Sequence, residues 1–259
     1  MARCWKWVKR DGGCVVRATR TLQPAPLGME RCVKPELLDE LPPADPRAVR
    51  SRDDLQRVNA WMGNCGIMTG ALRSTCRGLM ARRMVELGAG DGRFLLRVAR
   101  RLFPGWQGTS AVLLDRLKII SPETRQGFET SGWRTESLQA DALEWLTQPA
   151  APAWDAMLAN LFLHHFHEVQ LAELLRAAAR SARVFIALEP RRSARGLFFS
   201  RWLRLIGCNR VTRHDALVSV RAGFAGRELS RLWPADPGWT LQERPSGWFG
   251  HLFVARRRG

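Results

Sequence analysis

No stretch of the 259-residue chain approaches the roughly 18 consecutive apolar residues of a membrane-crossing helix, which argues against a transmembrane protein. Cysteine is sparse and dispersed: Cys4, Cys14, Cys32, Cys65, Cys76 and Cys208 include no C-x-x-C pair. Neither a thiolate zinc cluster nor a disulfide framework is indicated, no metal is expected, and the thiols suit a reduced, cytoplasmic compartment. Residues 1–28 lack the continuous apolar segment of a secretory signal. They carry Arg3, Lys6, Lys9, Arg10, Arg17 and Arg20 against Asp11 alone and show no helical or strand periodicity. They read as a disordered extension, or as sequence upstream of a start at Met29. Lysine is also scarce. Only Lys6, Lys9, Lys34 and Lys118 interrupt an excess of arginine, 37 of the 41 basic residues, scattered along the chain. The net charge of +17 fits a nucleic-acid partner, but a scattered arginine excess equally fits a coding bias.

What is present is concentrated in Met84–Leu96. An apolar strand containing Glu86 leads into Gly88-Ala89-Gly90-Asp91-Gly92, and apolar residues at 94, 95, 98 and 99 then follow at helical spacing. A strand that passes through a glycine-rich turn into a helix N-terminus builds a ligand site at the open end of an α/β sheet. The glycines run G-x-G-x-G and not the G-x-G-x-x-G of a dinucleotide site. Ala111–Asp115 reads as a second buried parallel strand. Asp115 lies 23 residues after Gly92, where a cofactor domain places a carboxylate to accept ribose hydroxyls.

The run Glu86-x-Gly88-x-Gly90-x-Gly92 resembles motif I of the class I S-adenosylmethionine-dependent methyltransferases. The resemblance implies that Gly88, Ala89, Gly90 and Gly92 let backbone lie against the methionyl end of the cofactor, that Glu86 helps to hold it, and that Asp115 and Arg116 meet its ribose. Ser137–Leu143 resembles the family's third motif, which would place Asp141 and Ala142 at the adenine. Trp154–Phe166 resembles the fourth: Asp155 opens a buried strand and Asn160 ends it at a loop facing the transferable methyl. The resemblance covers about residues 50–259. It implies an α/β fold, a Rossmann-like seven-stranded, mostly parallel sheet of order 3-2-1-4-5-7-6 with helices on both faces.

The chain divides accordingly into residues 1–28, an arm and helical cap over 29–80, and a methyltransferase domain over 81–259 with a helical substrate lid at about 192–233. The proline-rich stretch 30–50 reads as an arm packed on the surface. Ser51 is placed as the N-cap of a helix ending near Met62, with Gly63 as its stop. Leu171–Ala182 reads as a helix and Arg183–Pro190 as the fifth strand. Trp239–Glu243 and Trp248–Arg256 read as an antiparallel pair joined by Pro245-Ser246-Gly247. Within the lid, Leu197–Gly207 mixes apolar residues with arginine. It suits a helix packed on the core, a cover over a greasy substrate, or a helix at a bilayer interface, so peripheral membrane contact stays open.

Methyl transfer needs an acceptor held near attack distance, and a hydroxyl acceptor gains from a base worth on the order of 10²- to 10⁴-fold. His165 and His164 follow the fourth strand and are the candidates, with the alternative that both are structural. His214 and Glu189 are reserves, and His251 reads as a core or edge residue. The function read from these residues is S-adenosylmethionine-dependent methylation of a small apolar or aromatic molecule, O-methylation ahead of C-methylation. An RNA methyltransferase and a cofactor-binding, non-catalytic partner protein are the alternatives. Enzymes that methylate base or amide nitrogens usually carry an Asn/Asp-Pro-Pro-aromatic loop, and Asn160-Leu161-Phe162-Leu163 departs from it, which argues against nucleic acid.

Overall fold

The computed structural model describes residues 6–10, 13–17, 29–76, 81–148 and 153–258. The expected divisions at 28/29 and 80/81 fall at the edge of stretches, 18–28 and 77–80, that lie outside the described residues. Near the N-terminus, β1 (Lys6–Arg10) and β2 (Gly13–Arg17) form a separate antiparallel pair, so the extension holds strand where the sequence shows no alternation. The main sheet comprises β3 (Arg83–Leu87), β4 (Ser110–Asp115), β5 (Arg134–Gln139), β6 (Trp154–Asn160), β7 (Ala182–Pro190), β8 (Trp239–Ser246) and β9 (Gly250–Arg257). Their spatial order is β5-β4-β3-β6-β7-β9-β8, with only β9 and β8 antiparallel to their neighbours. Counted from β3, this is the 3-2-1-4-5-7-6 order that the motifs imply.

The central strands are buried on both faces, and this is why they read as unbroken apolar runs. Met84, Leu113, Leu158 and Ile186 pack on one face beneath α3 (Asn64–Thr75) and α4 (Arg93–Leu102). Val85, Leu87, Met157, Phe185 and Phe253 pack on the other beneath α7 (Glu168–Ser181). The remaining helices are α1 (Leu37–Glu40), α2 (Pro46–Trp61), α5 (Pro122–Thr130), α6 (Ala142–Thr147), α8 (Ala194–Ser200), α9 (Arg210–Ala222) and α10 (Glu228–Leu232). Among the described residues no helix is long and apolar enough to cross a membrane.

Several boundaries differ from the sequence reading. Helix α2 begins at Pro46 under an Asp45 cap, because Asp-Pro supplies both a side-chain acceptor for Arg47 N–H and a first residue that needs no hydrogen bond. Ser51 is therefore inside the helix, buried, with its hydroxyl 2.8 Å from that of Thr212. Gly63 does end the helix, in the left-handed conformation at φ 70°, but α3 starts at once. Strand β8 runs on through Pro245, which the edge tolerates because β9 covers only one side of it. The turn is consequently shifted to Gly247–Phe249, and Trp248 stands at its tip.

The arm is not merely laid on the surface. Backbone N–H of Leu37 and Leu38 donate to Asp215 of α9 at 2.8 and 3.0 Å, and the Arg31 guanidinium donates to the carbonyls of Ala222 and Phe166 at 2.7 and 3.0 Å. These bonds bring Glu36 and Asp39 over the carboxyl ends of the strands.

Candidate functional site

The cradle starts where β3 ends. Gly88, Gly90 and Gly92 all have positive φ, 66°, 55° and 73°, so side chains there would be strained regardless of space. The reasons for glycine differ beyond that. A Cβ on Gly88 would lie 2.2 Å from the Phe162 ring, so this glycine makes room for the loop after β6. A Cβ on Gly90 would meet nothing within 4 Å, because that residue faces open cavity. Asp115, at the end of β4, fixes the loop: one carboxylate oxygen accepts Gly90 N–H at 2.8 Å and the other accepts Leu117 N–H at 2.8 Å.

Beneath the loop lies Glu86, 2% exposed, with Oε2 buried and without a hydrogen-bond partner. Burial, reinforced by the charges of Asp91 and Asp115, pushes its pKa well above the usual carboxylate range. A carboxyl group left unpaired in a cavity wall is costly unless something binds there. Beside it, Asn59 Oδ1 accepts from Asn64 at 2.8 Å and from Asn160 at 3.1 Å, and Gln56 donates to Asp91 at 3.3 Å.

The loop after β6 carries the histidines. Glu189 of β7, fully buried, accepts the backbone N–H of Phe162 at 3.0 Å and of Leu163 at 2.8 Å. It also takes His164 Nδ1 at 2.7 Å. The other ring nitrogen of His164 faces Glu36 Oε1 at 3.3 Å, and the Ser219 hydroxyl donates to the same oxygen. Burial alone would lower the His164 pKa, but the two carboxylates outweigh it and raise it to about 9. Burial likewise opposes ionisation of Glu36, yet the hydrogen bond and charge of His164 hold its carboxyl at about 2. His164 is thus an imidazolium enclosed between two carboxylates at neutral pH. Its neighbour His165 is more open, with Nδ1 3.3 Å from Asp39 Oδ2, and the two rings lie 4.3 Å apart, tilted by 33°. Glu36, His164 and His165 bring ligand-type atoms within 4.8 Å of one another. Both His164 nitrogens already face carboxylates, so the trio is arranged to hold a proton.

All of this opens on one cavity of about 260 Å³. Of the residues singled out in the sequence, its lining takes in Glu86, Gly88, Ala89, Gly90, Asp115, Asn160, His164 and His165. Gly92, Arg116, Asp141 and Ala142 lie outside it. Asp141 accepts Leu143 and Glu144 N–H at 2.9 and 3.2 Å as the N-cap of α6, Ala142 is buried behind it, and Arg116 points to solvent. Of the reserves, Glu189 is occupied by the loop, His214 is exposed beside Asp215, and His251 is buried in β9, 2.8 Å from Glu243. Asp155 sits at the opposite end of the sheet, accepting Arg82 and Arg83 N–H at 2.8 and 2.9 Å. Sequence reasoning missed Glu36, Asp39, Gln56 and Asn59. They come from the arm and α2, where nothing local distinguishes a site carboxylate or amide from a surface one.

The opposite wall is apolar. Trp61, Phe199, Leu203, Val220 and Phe249, from α2, α8, the turn after it, α9 and the β8–β9 turn, line it together with Leu161. Leu161 has φ 53°, an uncommon conformation for a branched side chain, held by its N–H bond to Leu188 O at 2.9 Å. Phe162 stays packed edge-on to Phe166 at 5.1 Å over Gly88, so its ring is not free to stack on a base.

A seven-stranded sheet of this order, with a glycine loop and acids at the carboxyl ends of its first two strands, is the class I methyltransferase fold, and solved structures share it. An O-methyltransferase family protein from Burkholderia thailandensis matches with a TM-score of 0.57 at 20% identity, covering 83% of this chain and 61% of its own. Mitomycin 7-O-methyltransferase matches with a TM-score of 0.54 at 20% identity, over 86% of this chain and 60% of its own. Magnesium protoporphyrin IX methyltransferase from Synechocystis, solved with bound S-adenosylmethionine, matches with a TM-score of 0.50 at 12% identity, over 81% and 84%. The chain spans about three fifths of the length of the first two. No protein-family model and no curated protein matches the sequence.

Proposed function

We propose that this chain is an S-adenosylmethionine-dependent methyltransferase acting on a small apolar or aromatic acceptor, with oxygen favoured over carbon. The observation that carries the reading is the unpartnered Oε2 of Glu86 in the wall of a cavity that also opens at Gly90. A buried carboxyl awaiting a partner fits the ammonium of the cofactor's methionyl end, and an open glycine cradle fits its close approach. Asp115 lines the same cavity, and its oxygens keep lone pairs for ribose hydroxyls beside the two backbone bonds. Names among the structural matches, an O-methyltransferase family protein and mitomycin 7-O-methyltransferase, support the choice of acceptor atom.

The cofactor would supply a methyl carbon already activated by its sulfonium, so the protein's part is mainly to hold the acceptor in line, worth about 7–11 kcal/mol. The apolar wall from Trp61 to Phe249 would hold an aromatic or aliphatic body. Helices α1 and α2 on one side and α8 and α9 on the other would form its lid. His165 is the better base of the pair. Asp39 at its Nδ1 leaves Nε2 to receive the acceptor's hydroxyl proton, whereas His164 already carries its proton between Glu36 and Glu189. No tyrosine is present anywhere in the chain to compete for that role.

Two measurements test this. Calorimetry should show S-adenosylmethionine and its demethylated product binding to the wild type and failing to bind Asp115→Ala. A folded wild type that binds neither would sink the enzyme reading. With phenols, quinones and polyketides as acceptors, His165→Ala should lower kcat by about 10²- to 10⁴-fold with little change in cofactor affinity. An unchanged kcat would remove His165 from the mechanism.

A further inference from the structure

The apolar wall of the cavity does not stop at its mouth. Trp61 stacks on Phe249 at 4.7 Å, Phe249 meets Phe199 at 5.1 Å, Phe199 meets Phe198 at 5.4 Å, and Phe198 meets Trp202 at 6.0 Å. Trp61, Phe199 and Phe249 line the cavity, while Phe198 and Trp202 are exposed on the outer surface. Trp248, 75% exposed at the β8–β9 tip, lies 6.3 Å from Phe199, and Leu205, 70% exposed, and Ile206 come one turn after Trp202. One aromatic surface therefore runs unbroken from solvent into the site. Exposed apolar patches of this kind on a folded domain mark interaction surfaces.

The charges around the patch say what it meets. From Arg191 to Arg210 the chain has six arginines and no acid; the Arg192 side chain is buried against Glu228, and Arg195, Arg201, Arg204 and Arg210 are exposed. Arg201 and Arg204 are exposed and alternate with Trp202 and Leu205. From α2, Arg50 donates to Gly207 O at 3.2 Å and Arg57 to Ile206 O at 3.4 Å, adding cations to the same rim. Tryptophan, leucine and phenylalanine ringed by arginine match the chemistry of an anionic bilayer interface: apolar side chains enter the acyl boundary and guanidinium groups meet phosphate. We propose that this face docks on anionic phospholipid membranes, and that the acceptor is a lipid-soluble molecule that enters the cavity along the aromatic path. The second half rests on the methyl-transfer reading, and the first does not.

The test is sedimentation of the full chain with vesicles, without cofactor. Binding is expected to mixed phosphatidylcholine–phosphatidylglycerol vesicles, weaker binding to phosphatidylcholine alone, and release by salt. A Leu205→Ser, Trp248→Ser double variant should bind the mixed vesicles about tenfold or more weakly, because two apolar side chains no longer enter the lipid. Neither residue lines the cavity, so S-adenosylmethionine affinity should be unchanged in that variant, which also shows that it folds. Three results would overturn the proposal: no vesicle binding by folded wild type, a self-associated wild type that the double variant converts to monomer without any lipid effect, or a single-stranded RNA probe that outcompetes the vesicles. Cofactor calorimetry reports on methyl transfer separately, so loss of one reading is not mistaken for loss of the other.

Discussion

Glu86→Gln is expected to weaken S-adenosylmethionine binding by roughly 10²- to 4 × 10³-fold while making the cofactor-free protein more stable at neutral pH. The affinity loss follows from removing one member of a buried charge pair, about 3–5 kcal/mol. The stability gain follows from linkage. Burial raises the folded-state pKa of Glu86 well above its ordinary 4.5, so between 4.5 and the raised value folding is accompanied by uptake of a proton. Wild-type stability is complete below about 4.5 and declines as the pH rises towards the folded pKa, by up to about 1.4 kcal/mol per pH unit for this one group. Glutamine takes up no proton and is exempt. Thermal melts of both proteins should therefore converge near pH 4 and separate by about pH 7. Binding of a cation beside Glu86 should release the proton again, so the calorimetric enthalpy in the wild type, but not in the variant, should vary with the ionisation enthalpy of the buffer. Buffer-independent enthalpies would show that Glu86 does not face the cofactor's charge.

The second large effect belongs to His164. Removing it as His164→Ala leaves Glu36 and Glu189 facing a void, and a loss of about 3–5 kcal/mol is expected in denaturant titrations. The wild type should show the same interaction as a pH profile. The folded pKa of about 9 lies above the ordinary 6.5, so the stabilisation is full below about 6.5 and disappears as the pH rises through about 9. Glu36, held at about 2, works in the other direction: its share is present above about 4.5 and is lost as the pH falls through about 2. Between those windows the arm stays attached. Limited proteolysis across the alkaline range should show cleavage in residues 29–45 rising in parallel with the loss of stability, and His164→Ala should be cut readily at every pH. Uniform resistance in the variant would show that Arg31 and the Asp215 bonds hold the arm without it.

How much of this could be read from the residues depended on whether the signal was local. Met84–Leu87, Ala111–Asp115 and Trp154–Asn160 are buried on both faces and announce themselves as apolar runs, so the strands were legible, while their order in the sheet came only from the resemblance of the motifs to a family. Gly88 and Gly90 were legible as a pattern, but their separate reasons, the ring of Phe162 and the open cavity, exist only in three dimensions. Asp141 reads in sequence as a site acid from its strand–acid–helix junction, and in three dimensions it caps α6, a role compatible with a ligand contact. Ser51 was misplaced because Asp45-Pro46 is the stronger helix start and lies in a stretch whose prolines suggest a loop. Glu36 and Asp39 were out of reach for the opposite reason. Their partners are more than a hundred residues away, and no spacing connects them.

The chain of contacts from Glu36 through His164 to Glu189 has a kinetic corollary. It ties the arm to β7, an interior strand of the sheet, so lifting the arm would expose a charged ring and two carboxylates to rearrangement at once. Exchange of small molecules by that route would have the cost and the microsecond-to-millisecond pace of a hinge. The aromatic mouth has no such tether. Rotations of exposed side chains such as Phe198 and Trp202 occur in picoseconds to nanoseconds, so on the proposed route traffic would be limited by how fast a greasy molecule leaves its solvent and not by how fast the protein opens.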